Sequence, residues 1–272
     1  METREKLSKL LTLVKEKKPL VHHITNYVTV NDCANITLSL GGSPVMADDS
    51  LEVEEMISIA SSLVINIGTL NSRTIESMLL AGKRANSLDI PVILDPVGVG
   101  ATNLRTETAK KLLKEINFSV IKGNMSEIKV LSGMDSIVRG VDSTEDTENG
   151  EEIALKLSQK LGSVIAITGA KDIISDGKNI CFIENGHPIL AKITGTGCMS
   201  SSLTGAYCGV TKDYYTATIA AIATMGLCGE MAEASLKSNY HLGSFKVALI
   251  DSIASLSPKD LFNGGKLNEH KL

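Results

Sequence analysis

Residues 92–102 read VILDPVGVGAT. Three apolar residues run straight into an aspartate, a proline and a glycine-rich loop. Successive strand side chains point to opposite faces, so an unbroken apolar run marks a strand covered on both sides. Such strands belong to parallel sheets layered between helices, where ligands bind at the carboxyl ends of the strands. Asp95 stands at such an end. A carboxylate there can cap the turn before Pro96. It can equally hold Mg²⁺, which takes oxygen ligands and keeps several waters.

The same pattern recurs along the chain. LVHHIT (20–25), SPVM (43–46), SLVINIG (62–68), FSVIKGN (118–124), SVIAITG (163–169), DIISDG (172–177), NICFIENG (179–186) and PILAKIT (188–194) are further strand candidates. Amphipathic segments between them predict helices near 30–40, 51–61, 72–88, 103–115, 125–132 and 148–161, after an amphipathic N-terminal helix. Strand–helix alternation predicts a three-layer α/β/α architecture with a mainly parallel central sheet. Segment 171–190 reads as an antiparallel hairpin turning at SDGKN. From residue 197 the pattern is almost wholly helical, near 197–210, 213–236 and 244–256. The acidic stretch 133–150 reads as a surface loop. No repeat or linker divides residues 1–272, so one domain is expected.

Composition narrows the function. The 272 residues are 43% hydrophobic and 21% charged, with net charge −4. That balance offers no basic field for nucleic acid, and 3% aromatics leave few platforms for base stacking. The five cysteines are odd in number and widely spaced, without a zinc-site pattern. Free thiols in a reducing cytoplasm are expected. The most apolar stretch, TATIAAIATMGLCGEMAEA (216–234), carries Thr, Gly and Glu residues and reads as a buried helix, so no membrane span is expected.

Other strand ends also carry chemistry. In VIKGNMSEIKVL (120–131), Asn124 and Glu127 have the spacing of a capping box. Beside Asp95 on another strand end, Glu127 is also a second acidic group for a metal, and Lys122 would aim its ammonium at phosphate oxygens. Thr168-Gly169 suits a phosphate or ribose, or simply a tight turn. Residues 194–206, TGTGCMSSSLTGA, look like a turn opening a helix. The first helical amides are unsatisfied and carry partial positive charge, so they bind phosphate or a developing anion. The pattern is neither a Walker A loop nor a dinucleotide fingerprint. Cys198 lies in that first turn. In VHHITNYVTVNDCAN (21–35), Asn26 can bind a small substrate, while His22 and His23 read as core histidines. Met46 offers a soft apolar wall for a heterocycle.

HHITNYV, GGSPVMADD, ILDPVGVGAT, IKGNMSEI, AITG and TGTGCMSSSLTG occur in this order. Together they resemble the hydroxyethylthiazole kinase family, of the ribokinase-like fold, over about residues 19–256. The resemblance implies ATP-dependent, Mg²⁺-dependent phosphorylation of 4-methyl-5-(2-hydroxyethyl)thiazole in thiamin salvage. It also implies a homotrimer with the thiazole pocket between subunits. By motif, Met46 and Gly195 would contact the thiazole, with Asn26, Val28 and Gly68 as further pocket positions. Lys122, Thr168 and Gly197 would contact ATP, and Asp95 and Glu127 would organise Mg²⁺. Lys122 stands where the family commonly has Arg, and the lysine keeps the charge but loses the bidentate fork.

Sugar kinases of this fold carry an aspartate, regarded as the base, where Cys198 stands. Cys198 is therefore expected beside the substrate hydroxyl, as a weak base or as part of the pocket's shape. Three rival readings stay open: a kinase for hydroxymethylpyrimidine or another vitamin-precursor alcohol, a cysteine-nucleophile hydrolase, and a nucleotide-binding module without turnover.

Overall fold

A computed structural model describes residues 2–133, 150–236 and 241–271. The chain opens with helix α1 (Glu2–Lys17), whose Leu7, Leu10, Leu11 and Val14 fall on one buried stripe. Acidic residues in its first turn and lysines in its last complement the helix dipole. Strand β1 (Leu20–Ile24) leads to α2 (Val30–Leu40) and β2 (Ser43–Met46), then α3 (Val53–Ile59) and β3 (Ser62–Asn66). Three further units follow: α4 (Ser72–Ser87) with β4 (Val92–Asp95), α5 (Asn103–Glu115) with β5 (Val120–Asn124), and α6 (Met125–Gly133) and α7 (Gly150–Leu161) before β6 (Val164–Thr168). Then come β7 (Asp172–Ser175) and β8 (Asn179–Ile183), followed by α8 (Thr196–Cys208), α9 (Tyr214–Ser235), α10 (Leu242–Ser255), α11 (Pro258–Gly264) and β9 (Leu267–Lys271).

The strands form one nine-stranded sheet in the order β2-β1-β3-β4-β5-β6-β7-β8-β9. Strands β1 to β6 pair in parallel, and β7, β8 and β9 add antiparallel pairs. The continuous apolar runs are explained by two cores. Val64, Ile93, Val120, Ala166 and Ile174 face one core, with residues from α1, α2, α8, α9 and α10. Their neighbours Ile65, Leu94, Ile121, Ile167 and Ile173 face the other, with residues from α3, α4, α5 and α7. Burial on both faces is thus written residue by residue in the strands.

Helix α8 lies close across β1 and β3. A side chain at Gly205 would forbid this, because a Cβ there would stand 2.7 Å from Val64 Cγ2 and 2.9 Å from Val21 Cγ1. The close approach sets the start of α8 over the strand ends.

Two expectations need correction. PILAKIT is not a strand: Pro188–Lys192 forms a 3₁₀ turn, capped by the His187 side chain, which accepts the Ile189 N–H. Pro188 brings no N–H to a ladder. The free edge of β8 is taken instead by β9, a polar C-terminal strand that shows no apolar run. Helix α11 was also not expected. The hairpin at SDGKN is present as β7–β8. Most of the acidic loop expected at 133–150 lies outside the described residues. Among the described residues, no helix is long and apolar enough to cross a membrane.

Candidate active site

The chain runs from β1 outward to β2 and returns past β1 to β3. Helix α2, after β1, packs on one face and α4, after β3, on the other. Their departure to opposite sides opens a crevice at the strand ends, the usual ligand position in such sheets. Around it the strands deliver a polar set. Asn26 follows β1, Asn66 ends β3, Asp95 ends β4, Lys122 and Asn124 lie on β5, and Thr168 ends β6.

Cys198 lies at the bottom of this crevice among amides. Asn66 Nδ2 donates to its Sγ at 3.2 Å and Asn26 Nδ2 at 3.3 Å. Asn66 Nδ2 also donates to Asp95 Oδ2 at 2.9 Å, and Ser201 Oγ donates to the same oxygen at 2.7 Å. Both bonds converge on Oδ2, and no described residue occupies Oδ1. Behind them, His22 and His23 are fully buried, as core histidines. Burial lowers His23 to about 4, so it stays neutral. Its Nε2 meets Ser202 Oγ at 3.1 Å.

The start of α8 is open toward an anion. Gly195 is its N-cap in the left-handed region (φ +92°), and no side chain caps the first amides. A Cβ at Gly195 would stand 2.7 Å from Thr29 Cγ2. Lys122, buried on β5, reaches over this first turn.

Asn124 and Glu127 form the capping box that their spacing predicts. Asn124 Oδ1 accepts the Glu127 N–H at 2.9 Å, and Glu127 Oε2 accepts the Asn124 N–H at 2.8 Å. Glu127 Oε1 in addition accepts the Gly98 N–H at 2.9 Å, tying the glycine-rich loop after β4 to α6. Arg105, from the first turn of α5, bridges that loop to the one after β3. It donates to Val97 O at 2.9 Å and to Gly68 O at 2.6 Å.

Two cavities meet here. One, of about 430 Å³, is lined by Asn26, Val28, Gly68, Asp95, Gly195 and Cys198, among others. The other, of about 620 Å³, runs toward α9 between Asp172, His187, Leu190, Ile222 and Met225. Three residues line both: Lys122, Thr168 and Gly197. Asp172 is the buried acid of the larger cavity. Burial pushes its carboxyl up to about 7, while the Gly169 N–H on Oδ1 (2.9 Å) and Lys122 pull the other way.

The site residues expected from the sequence therefore gather at this double cavity, with one exception. Met46 ends the edge strand β2 and is not part of either cavity wall. Val28 lines the smaller cavity but is 57% exposed, next to Tyr27 at 79%. Sequence reading passed over Asn66, Ser201, Arg105 and Asp172. Asn66 had a usable signal, since it breaks the apolar strand SLVINIG at its carboxyl end. Arg105 had none, because its partners are backbone carbonyls of distant loops.

Comparisons with known proteins identify the family. The model of the hydroxyethylthiazole kinase family matches residues 11–259. A hydroxyethylthiazole kinase of Alkaliphilus oremlandii is 56% identical over 270 residues, covering 99% of this chain and 100% of its own. The solved structure of a hydroxyethylthiazole kinase protein from Pyrococcus horikoshii OT3 aligns with a TM-score of 0.89 at 38% identity, over 98% of this chain and 99% of that one. A ribokinase-like superfamily protein from Enterococcus faecalis V583 aligns at 0.65 and 13% identity over 90% and 89%, a likeness of fold alone. The architecture is thus ribokinase-like, and the chain belongs to the hydroxyethylthiazole kinase family.

Proposed function

We propose that this chain transfers the γ-phosphoryl group of ATP to the hydroxyl of 4-methyl-5-(2-hydroxyethyl)thiazole, in thiamin salvage. The observation that carries this reading is the junction of the two cavities at Lys122, Thr168 and Gly197. A nucleotide in the larger cavity and a small alcohol in the smaller one meet where an ammonium and free helix amides converge. Phosphoryl transfer asks mainly for positioning and charge stabilisation there.

In this reading the alcohol lies against Cys198, between Asn26, Gly68 and Gly195. The amides at the start of α8 and Lys122 hold charge as it develops on the transferred group. The Cys198 sulfur faces the hydroxyl and is the group nearest to hand for its proton. Asp95 and Glu127 suit Mg²⁺ carried in with the nucleotide rather than a resident ion. Among the described residues no cluster of three or more His, Cys, Asp or Glu could cage a metal. Asp95 lines the smaller cavity and no described residue bonds its Oδ1, whereas both Glu127 oxygens already accept backbone N–H bonds. When bound, Mg²⁺ would neutralise phosphate oxygens.

Met46 and the exposed Tyr27 and Val28 fit a homotrimer in which a neighbouring subunit completes the thiazole pocket. A cytoplasmic enzyme acting as one domain agrees with five free cysteines and with one continuous sheet. An ATP-consumption assay offering the thiazole alcohol and hydroxymethylpyrimidine in competition tests the assignment. The thiazole should be preferred, and preference for the pyrimidine would overturn it. ATP binding without turnover on either alcohol would leave a binding module.

A further inference from the structure

We infer that Asn66 is a positioning residue that, together with Asn26, holds the Cys198 sulfur as a hydrogen-bond acceptor facing the alcohol cavity. Neither amide is free to turn over. Asn66 Oδ1 accepts the Gly68 backbone N–H at 2.9 Å, and Asn26 Oδ1 accepts the Thr29 backbone N–H at 3.1 Å. A backbone N–H can only donate, so each side-chain NH₂ must point the other way. The Thr29 hydroxyl adds a second bond to Asn26 Oδ1 at 3.1 Å.

All four amide N–H bonds are then assigned. Asn26 gives one to Asn66 Oδ1 (3.0 Å) and one to Cys198 Sγ. Asn66 gives one to Asp95 Oδ2 and one to Cys198 Sγ. The sulfur meets two donors, and no described residue accepts a proton from it. Its own hydrogen is left to point into the cavity, or to leave. Two N–H donors favour negative charge on the atom they meet over a neutral one. Among the described residues Asn66 is the only side chain that holds both this sulfur and Asp95, so it also fixes their spacing. Leucine at 66 would keep the shape and give no donor. Aspartate at 66 would place a carboxylate against Asp95.

The inference rests on the reading of Cys198 as the group beside the alcohol, but its deciding measurement, alkylation of the sulfur, needs neither substrate. Cys198 is the one cysteine that is not buried. Its alkylation by iodoacetamide, located by mass spectrometry, reports thiolate on this sulfur. The rate is followed across pH in the wild-type chain and in the Asn66→Ala, Asn66→Leu and Asn26→Ala variants. Losing a donor should move the half-plateau point upward by at least half a pH unit, about a threefold change in proton concentration. Wider access alone would raise the rate at every pH and leave that point in place. In the Asn66 variants kcat should fall at least tenfold, with KM for ATP within twofold. Half-plateau points that coincide with wild type in the folded variants would overturn the inference. Asn26→Ala removes one donor from a loop rather than a strand, so the test survives if the Asn66 variants do not fold. A shifted alkylation profile in a chain that does not phosphorylate the thiazole would keep this inference and overturn the proposed function instead.

Discussion

The Lys122 ammonium stands 3.8 Å from where a Cβ would sit on Gly197, directly over the first turn of α8. Lys122 is only 2% exposed, and among the described residues no carboxylate lies within salt-bridge distance of it. A buried ammonium with no carboxylate in direct contact is costly to keep, and in the proposed reading a phosphate at this junction would supply that contact. Lys122→Met should lower kcat by about 10²–10³, the usual cost of losing one charge-stabilising donor. The KM for the alcohol should change little. Steady-state kinetics with each substrate varied in turn checks this, and a rise in the alcohol KM alone would refute it.

Gly195→Ala should damage both stability and binding. The backbone there is left-handed, which costs an L-residue about 1–2 kcal/mol. The added methyl also collides with Thr29, whose N–H and hydroxyl anchor Asn26. Thermal unfolding should begin several degrees lower, and the KM for the alcohol should rise at least tenfold. An unchanged KM would show that the start of α8 does not form the alcohol wall.

Asp172 makes a signed contribution to stability against pH. Its carboxyl is near 7 in the folded chain, against an ordinary value of 3.8. Between those values the folded chain holds a proton that the unfolded chain has released. The stabilisation is therefore full below the ordinary value and is lost as pH rises through 7. His23 acts with the opposite sign. It is near 4 when folded and 6.5 ordinarily, so its contribution is lost as pH falls through that window. Asn at 172 removes the first slope and still accepts the Gly169 N–H. The melting temperature of Asp172→Asn minus that of wild type should rise between pH 5 and 7.5. A flat difference by scanning fluorimetry would contradict the assigned protonation.

Replacing Cys198 by Ser and by Asp separates proton removal from shape. Serine keeps the size and is a poorer base, so turnover should fall more than threefold. Aspartate, taking the Asn26 and Asn66 donors, should retain activity at or above the serine level. Changes below threefold in both, under about 1 kcal/mol of barrier, would leave Cys198 a part of the pocket wall only.

The parallel core of the fold was legible because its strands carry a two-sided apolar code, as Leu63, Val64 and Ile65 show by alternating between the two cores. Strand β9 was not, because Asn268, Glu269 and His270 belong to a sheet edge and carry no such code. PILAKIT has the composition of a strand, yet Pro188 and the His187 cap decide for a turn. In the site, residues in glycine-rich or strand-end motifs were legible: Asp95, Lys122, Thr168, Gly195 and Cys198. Asn66 and Arg105 act by joining segments distant in the chain, and such joins appear only once the sheet is assembled. Glu127 shows the limit of spacing alone. Its capping role and its tie to Gly98 coexist, and only the second brings it to the site.

The two cavities share no more than Lys122, Thr168 and Gly197. In the proposed reading, donor and acceptor are thus held by nearly separate sets of side chains. On that reading, the wall formed by Asn26, Val28, Gly68 and Gly195 can be rewritten for another alcohol without disturbing the larger cavity among Asp172, Leu190, Ile222 and Met225. Such a division of labour lets acceptor choice drift while the phosphoryl donor stays the same. Re-targeting the enzyme by design should begin on the β1–β3 side of the crevice and leave those three residues alone.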